Sequence, residues 1–84
     1  MQRRRLLKRL VRGDLDNVKF KDLTDLTEGF GFRLVRVKGS HHIFSHAAIP
    51  GVINLQKANG DAKPYQIRQL LRLVERYNLK LEDD

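Results

Sequence analysis

The chain has 84 residues, 40% of them hydrophobic, which limits it to a single small domain with one modest core. It contains no cysteine, which excludes disulfides, thiolate metal sites and a cysteine nucleophile. Its 17 Lys and Arg against 10 Asp and Glu give a formal net charge of +7, which favours an anionic partner such as nucleic acid, an acidic protein or an anionic membrane surface.

Two amphipathic helices are predicted in the first third of the chain. The first covers residues 2–12, with an arginine-rich outer face, and Gly13 ends it. Its apolar stripe consists of Leu6, Leu7, Leu10 and Val11. The second helix covers residues 20–29, and Gly29 or Gly31 marks its end. Three roles stay open for the arginine-rich helix: contact with an RNA backbone, docking of an acidic partner, or packing of its stripe on the core.

Three strands joined by short connections are predicted next. Residues 32–37 are rich in β-branched and aromatic side chains, and the Lys38-Gly39-Ser40 turn leads from them to a second strand over residues 41–46. Pro50-Gly51 indicates a loop before a third strand over residues 52–56, and Asn59-Gly60 indicates a further turn. Because short connections join neighbouring strands, we expect an antiparallel meander.

The last predicted element is a helix over residues 64–77, with Pro64 at its first position and Asn78 as its stop. The predicted fold class is therefore α+β. It has the α-β-β-β-α order of the double-stranded-RNA-binding fold, with a three-stranded antiparallel sheet and an extra N-terminal helix. We expect one domain over residues 1–84, divided into an Arg-rich extension, 1–19, and a core, 20–78.

His41 is the candidate for acid–base chemistry. Gly39 lets the chain reverse, and the turn delivers His41 to the start of the next strand. Histidine exchanges a proton near neutral pH, and RNA supplies its own nucleophile in the 2′-hydroxyl group. One imidazole with cations to offset phosphate charge is therefore sufficient for RNA cleavage. The alternative is that His41 is an ordinary half-exposed sheet residue.

The other candidates are weaker. Strand alternation sends His42 to the face opposite His41, and His46 shares the parity of His42. These three histidines are too close along one strand to converge, so we predict no metal site and no cofactor. Lys38 beside the turn, Arg36 on the strand before it and Lys63 at the start of the last helix are candidate RNA contacts. The alternative for each of these three residues is an ordinary solvated side chain that does not contact RNA.

The segment from Phe30 to Phe44 resembles the core of the HicA toxins of type II toxin–antitoxin systems. In that family a helix ending in Gly-aromatic leads through a strand to Gly-Ser-His and a second His, as in Gly39-Ser40-His41-His42. A Lys-Pro or Lys-Gly entry into the last helix matches Lys63-Pro64. The resemblance covers residues 20–78, and it extends to a longer subgroup with an Arg-rich N-terminal helix and an Asn-Leu-Gln strand, here Asn54-Leu55-Gln56. One departure is His46-Ala47, where many members have His-Pro.

The resemblance implies a toxin that cleaves mRNA as a metal-independent endoribonuclease and is neutralised by a HicB-like antitoxin. It implies Gly39 and His41 as the functional pair, with Ser40 in the supporting turn and His41 as general acid/base. A non-catalytic double-stranded-RNA-binding module and a pure interaction protein are the alternatives. No apolar run approaches the roughly 20 residues of a membrane span, and no secretory signal follows the basic N-terminus, so the cytoplasm is the expected location.

Overall fold

The computed structural model describes residues 2–82, which form three helices and five strands. The outermost residues of the predicted domain, 1 and 83–84, lie outside this range. In chain order the elements are α1 (Arg3–Val11), β1 (Val18–Lys19), α2 (Phe20–Gly29), β2 (Arg33–Lys38), β3 (His41–His46), β4 (Ile49–Ala58), β5 (Asp61–Ala62) and α3 (Pro64–Arg76). Helix α3 begins at Pro64, as predicted, and Asn78 follows its C-terminal end with a positive φ of 51°.

The strands form one antiparallel sheet in the order β1-β5-β4-β3-β2. The predicted meander of three strands is confirmed as β2-β3-β4. The sheet is wider than the sequence predicts, because β1 and β5 pair with each other and β5 pairs with β4. Both have only two residues, which is too short for a periodic pattern to predict them.

The prediction of a loop at Pro50-Gly51 is wrong, since β4 already begins at Ile49. His46 pairs with Ile49 across a two-residue turn, whereas Ser45 pairs with Val52, so Pro50 and Gly51 are extra residues in a bulge. A bulge suits both residue types. Proline has no N–H to leave unpaired there, and Gly51 has a φ of +82°.

One hydrophobic core joins the three helices to one face of the sheet. The sheet contributes Phe44, Ile53 and Leu55; α1 contributes Leu6 and Leu10; α2 contributes Leu23 and Leu26; and α3 contributes Ile67 and Leu70. All of these side chains are at most 2% exposed. The aromatic residues Phe20, Phe30 and Phe32 are also buried.

Helix α1 packs on α2 and so adds the N-terminal segment to this core. Its apolar stripe is only partly used, because Leu6 and Leu10 are buried whereas Val11 is 70% exposed. An ion pair of 2.9 Å between Arg3 and Asp25 also ties α1 to α2. Part of the arginine-rich surface therefore has a structural role in holding α1 in place.

Candidate functional site

Strand β3 presents its histidines to two different faces of the sheet. The ring of His42 lies 4.8 Å, centroid to centroid, from that of Phe20 in α2, so His42 faces the helices together with the buried Phe44. The residues of alternate parity, His41, Ile43 and Ser45, point the other way. We call this side of β2, β3 and β4 the open face, since it lies away from the helix layer.

The strand register places a row of cations beside His41 on the open face. On β2, Lys38 pairs with His41, Arg36 with Ile43 and Arg33 with Ser45. Neighbouring strands are about 4.8 Å apart, so this row runs directly alongside β3. The segments Arg33–Lys38, His41–His46 and Ile49–Ala58 contain no Asp or Glu. The open face around His41 is therefore basic.

Arg33 joins this row because of a bulge that the sequence did not predict. The pairing of β2 with β3 shifts between Leu34 and Arg36, which leaves Val35 as the extra residue. In a regular strand Arg33 would share a face with Val35 and not with Arg36. The sequence therefore indicated Arg36 and Lys38 as candidates but not Arg33.

A tight hairpin turn fixes His41 as the first residue of β3. Lys38 pairs with His41, so Gly39 and Ser40 form a two-residue loop. Gly39 has a φ of +60°, as predicted, and Ser40 does not have a positive φ, which is the pattern of a type II′ turn. No atom lies within 4 Å of the place of a Cβ on Gly39, so glycine is needed for its conformation and not for space. The carbonyl oxygen of Ser40 accepts the N–H of Lys57 at 2.9 Å, which ties the turn to β4.

The side chain of Asn54 orients the His41 ring. Nδ1 of His41 lies 3.2 Å from Oδ1 of Asn54, which sits on β4 opposite Ile43. Because an amide oxygen only accepts hydrogen bonds, Nδ1 is the donor and carries the proton. Nε2 of the neutral ring is then the basic nitrogen, and in the protonated ring it is the second acidic N–H. The sequence placed Asn54 only as a strand residue, since its proximity to His41 depends on the β3–β4 register.

His46 has a structural role away from His41. Its Nε2 donates to the carbonyl oxygen of Phe30 at 3.0 Å, and its Nδ1 accepts the N–H of Ala48 at 3.0 Å. The edge of the ring also meets Phe32, with centroids 5.0 Å apart. Both ring nitrogens are hydrogen-bonded within the protein, so His46 connects the turn that follows β3 to the end of α2.

Lys63 lies on another part of the sheet. It is the N-cap residue of α3 and follows β5, which is two strands away from β3. With a strand spacing of about 4.8 Å, this offset corresponds to about 10 Å across the sheet. Gln66 in the same helix is buried, and its Oε1 accepts the N–H of Gln56, the residue paired with His41. The N-terminal turn of α3 is thus joined to the strand that faces His41, whereas the Lys63 side chain is exposed.

Residues 2–82 contain no cluster of three or more His, Asp or Glu side chains that could hold a metal ion. None of the three helices in this range has the length and hydropathy of a membrane span.

The sequence matches the model of a known protein family. Residues 20–75 match the model of a family described as "HicA toxin of bacterial toxin-antitoxin". Searches of curated proteins and of solved structures gave no significant match. The matched segment runs from the first residue of α2 almost to the end of α3, and it includes the Gly39-Ser40 turn, His41 and the β2 cations. The chain therefore belongs to the HicA toxin family and is the toxin component of a toxin–antitoxin system.

Proposed function

We propose that this toxin is a metal-independent endoribonuclease that cleaves mRNA with His41 as general acid/base. The observation that carries the proposal is the position of His41 on the open face. Its Nδ1 is engaged by Asn54, its Nε2 is left for substrate, and a row of cations lies on the adjacent strand. Such an arrangement suits a polyanion whose reaction needs one proton removed near a phosphate.

The chemistry assigned to His41 is intramolecular attack within the RNA. Nε2 removes the proton from a 2′-hydroxyl group, and the resulting oxygen attacks the adjacent phosphorus. The bond from phosphorus to the 5′ oxygen of the next nucleotide breaks, and this oxygen takes up a proton, for which the imidazolium just formed is the donor. The products are a 2′,3′-cyclic phosphate and a 5′-hydroxyl end. Proton transfer of this kind contributes about 10²–10⁴-fold in rate.

The β2 cations supply the charge that this reaction needs. Lys38 and Arg36 were candidate RNA contacts from the sequence, and the register adds Arg33 to the same row. In the proposal these three bind successive phosphates beside His41 and offset the charge that develops on the reacting one. Lys63, about two strand spacings away, binds the RNA farther along its path together with the N–H groups at the start of α3.

The proposed regulator is a HicB-like antitoxin that covers His41. A ribonuclease acting on mRNA works in the cytoplasm, where an uncovered site would harm its own cell. Since the open face is basic, the antitoxin would present acidic residues to it. Attraction between the two proteins would then speed their association, and the association rate would fall as salt increases.

The test is cleavage of an mRNA fragment by purified protein in EDTA, with His41→Gln purified in parallel as a control for contaminating nucleases. We expect cleavage by the wild type, products with 2′,3′-cyclic phosphate ends, and none of this activity with His41→Gln. A single 2′-deoxy nucleotide at the cleavage position should block the reaction.

Three results would contradict the proposal. Loss of cleavage in EDTA would indicate a metal nuclease, and products with 3′-hydroxyl ends would exclude attack by the 2′-hydroxyl group. Binding of double-stranded RNA without cleavage, equal for both proteins, would support the alternative of a non-catalytic double-stranded-RNA-binding module.

A further inference from the structure

Strand β2 is the outermost strand of the sheet, and its outer edge has no strand partner within residues 2–82. In a two-residue hairpin the pair that closes the turn, here Lys38 and His41, exchanges hydrogen bonds. The next pair, Val37 and His42, does not, so the N–H and C=O groups of Val37 point away from β3. The outer edge of β2 therefore offers backbone groups to a further strand.

The side chains on this edge have two different characters. On the side of the helices, Leu34 pairs with the buried Phe44 and Val37 pairs with His42, yet Leu34 is 43% and Val37 is 50% exposed. The bulged Val35 is 55% exposed. On the open face the same strand carries three cations, Arg33, Arg36 and Lys38. The edge is thus apolar on one side and basic on the other.

We propose that β2 receives an extended segment of an acidic partner polypeptide as an additional strand of the sheet. Apolar side chains of that segment pack against Leu34 and Val37, and its Asp or Glu side chains, at alternate positions, meet the β2 cations. The inference rests on the proposed function in one respect: the partner that supplies this segment is the antitoxin that silences the toxin.

A second copy of this chain does not fit the same edge. Two β2 strands side by side would bring their apolar sides together, but they would also place the cations of one copy beside those of the other. Like charges on facing strands are destabilising. Cationic side chains and bulges are also the usual means by which an edge strand resists pairing with its own kind. Here they reject a basic strand and favour an acidic one.

RNA fits the edge less well than a polypeptide does. Phosphates satisfy Arg33, Arg36 and Lys38, but they leave the exposed Leu34 and Val37 without an apolar partner. An added strand satisfies the cations, the apolar side chains and the outward backbone groups together. Since its acidic residues use the same cations as RNA phosphates, the added strand competes with the substrate beside His41.

The experiment uses a capped heptapeptide of alternating Glu and Val, Glu-Val-Glu-Val-Glu-Val-Glu, as the probe. Its binding to the full chain is followed by NMR chemical shifts and by hydrogen exchange of the Val37 amide. We expect shifts centred on β2, and, at a peptide concentration ten times its dissociation constant, exchange of the Val37 amide about tenfold slower. Two matched peptides serve as controls: one with Lys in place of Glu, and one N-methylated at every residue so that it has no backbone N–H to donate. Neither control should bind.

The substitution Val37→Pro in the protein tests whether the outer edge of β2 binds the peptide through backbone hydrogen bonds. Proline removes the outward N–H but leaves pairing with β3, and proline is tolerated on edge strands. We expect this variant to lose peptide binding while its circular dichroism spectrum and its cleavage of a short RNA stay as in the wild type. If the variant fails to fold, the N-methylated peptide with wild-type protein decides the same point.

Several outcomes would overturn the inference. Equal binding of the N-methylated or the Lys peptide would exclude pairing with an acidic strand, as would shifts centred on α1. Protection of the Val37 amide by a short RNA but not by the Glu-Val peptide would make this edge a nucleic-acid site. RNA cleavage measured without peptide reports on the proposed function by itself, so a failure of one is distinguishable from a failure of the other.

Discussion

The two faces of β3 differ in almost every property although they belong to the same six residues. On the side of the helices, Phe44 is 1% exposed, His42 packs on Phe20 and His46 uses both ring nitrogens within the protein. On the open face, His41 has one nitrogen engaged by Asn54, and its neighbours on β2 are Arg33, Arg36 and Lys38.

This difference indicates how an 84-residue chain combines a packed core with a charged surface on one small sheet. One face of the sheet belongs to the core that the three helices share, while the other carries His41, Asn54 and the β2 cations around Ile43. Identical residue types then have different surroundings, which depend on their parity along the strand. His41 and His42 are adjacent in sequence, but only His41 lies among the cations.

The largest effect on stability is expected from a comparison of alanine substitutions at Phe44 and at its neighbour Ile43. Phe44→Ala should lower the free energy of unfolding by about 3–5 kcal/mol, since it leaves a cavity between the sheet and the helices. Ile43→Ala, one residue away on the open face, should cost considerably less, because Ile43 is only partly buried. Urea denaturation followed by circular dichroism measures both. Equal losses would mean that the open face is packed as tightly as the helix face.

The next comparison concerns two hairpin turns. Gly39→Val forces a β-branched residue to a φ of +60°, which should cost about 1–3 kcal/mol and displace His41. Gly60→Val is the matched control: Gly60 has a φ of +81° in the Asn59-Gly60 turn between β4 and β5, also with no atom within 4 Å of its Cβ position. We expect similar losses of stability in urea and a loss of RNA cleavage in Gly39→Val alone. Equal cleavage by the two variants would contradict a role for the Gly39 turn in placing His41.

A smaller effect is expected for the hydrogen bond between Asn54 and His41. One hydrogen bond contributes about 1 kcal/mol, so Asn54→Ala should slow cleavage about fivefold. Nitrogen NMR of the His41 ring gives a readout that a merely structural change would not produce. In the neutral ring of the wild type the proton should reside on Nδ1, and in Asn54→Ala it should shift toward Nε2. An unchanged tautomer in the variant would exclude Asn54 as the residue that orients the ring.

The smallest effect concerns the cation that only the bulge brings to the open face. If Arg33 binds one phosphate of single-stranded RNA, Arg33→Gln should reduce the slope of log affinity against log salt by about 0.7. Lys21→Gln on the exposed side of α2 is the matched control, and it should leave the slope unchanged. RNA binding by His41→Gln protein at several salt concentrations measures both without cleavage. Equal slopes for Arg33→Gln and its parent would place Arg33 outside the RNA path.

Much of the fold could be predicted because its signals are local. The apolar stripes set α1, α2 and α3, while Gly39-Ser40 and Asn59-Gly60 set two hairpin turns. The predictions fail where pairing between strands decides the structure and the local sequence pattern does not. Strands β1 and β5 exist only through their pairing, and the bulge at Pro50-Gly51 extends β4 into a predicted loop.

The candidate site could likewise be predicted from the sequence only in part. The turn and strand parity separate His41 from His42, and both are read directly from the sequence. The contribution of Asn54 depends on the register between β3 and β4, and that of Arg33 depends on the bulge at Val35. Neither register nor bulge leaves a signature in a single sequence, so these two residues required the structure.

The most direct measurement compares His41→Ala with His42→Ala in the same two assays, RNA cleavage in EDTA and unfolding in urea. His41→Ala should slow cleavage by about 10²–10⁴-fold with little change in the free energy of unfolding, since His41 is partly exposed on the open face. His42→Ala should show the reverse, with cleavage retained and stability reduced, because it loses the contact with Phe20. If His41→Ala cleaves RNA at the wild-type rate while keeping the wild-type circular dichroism spectrum, the assignment of the chemistry to the open face is wrong.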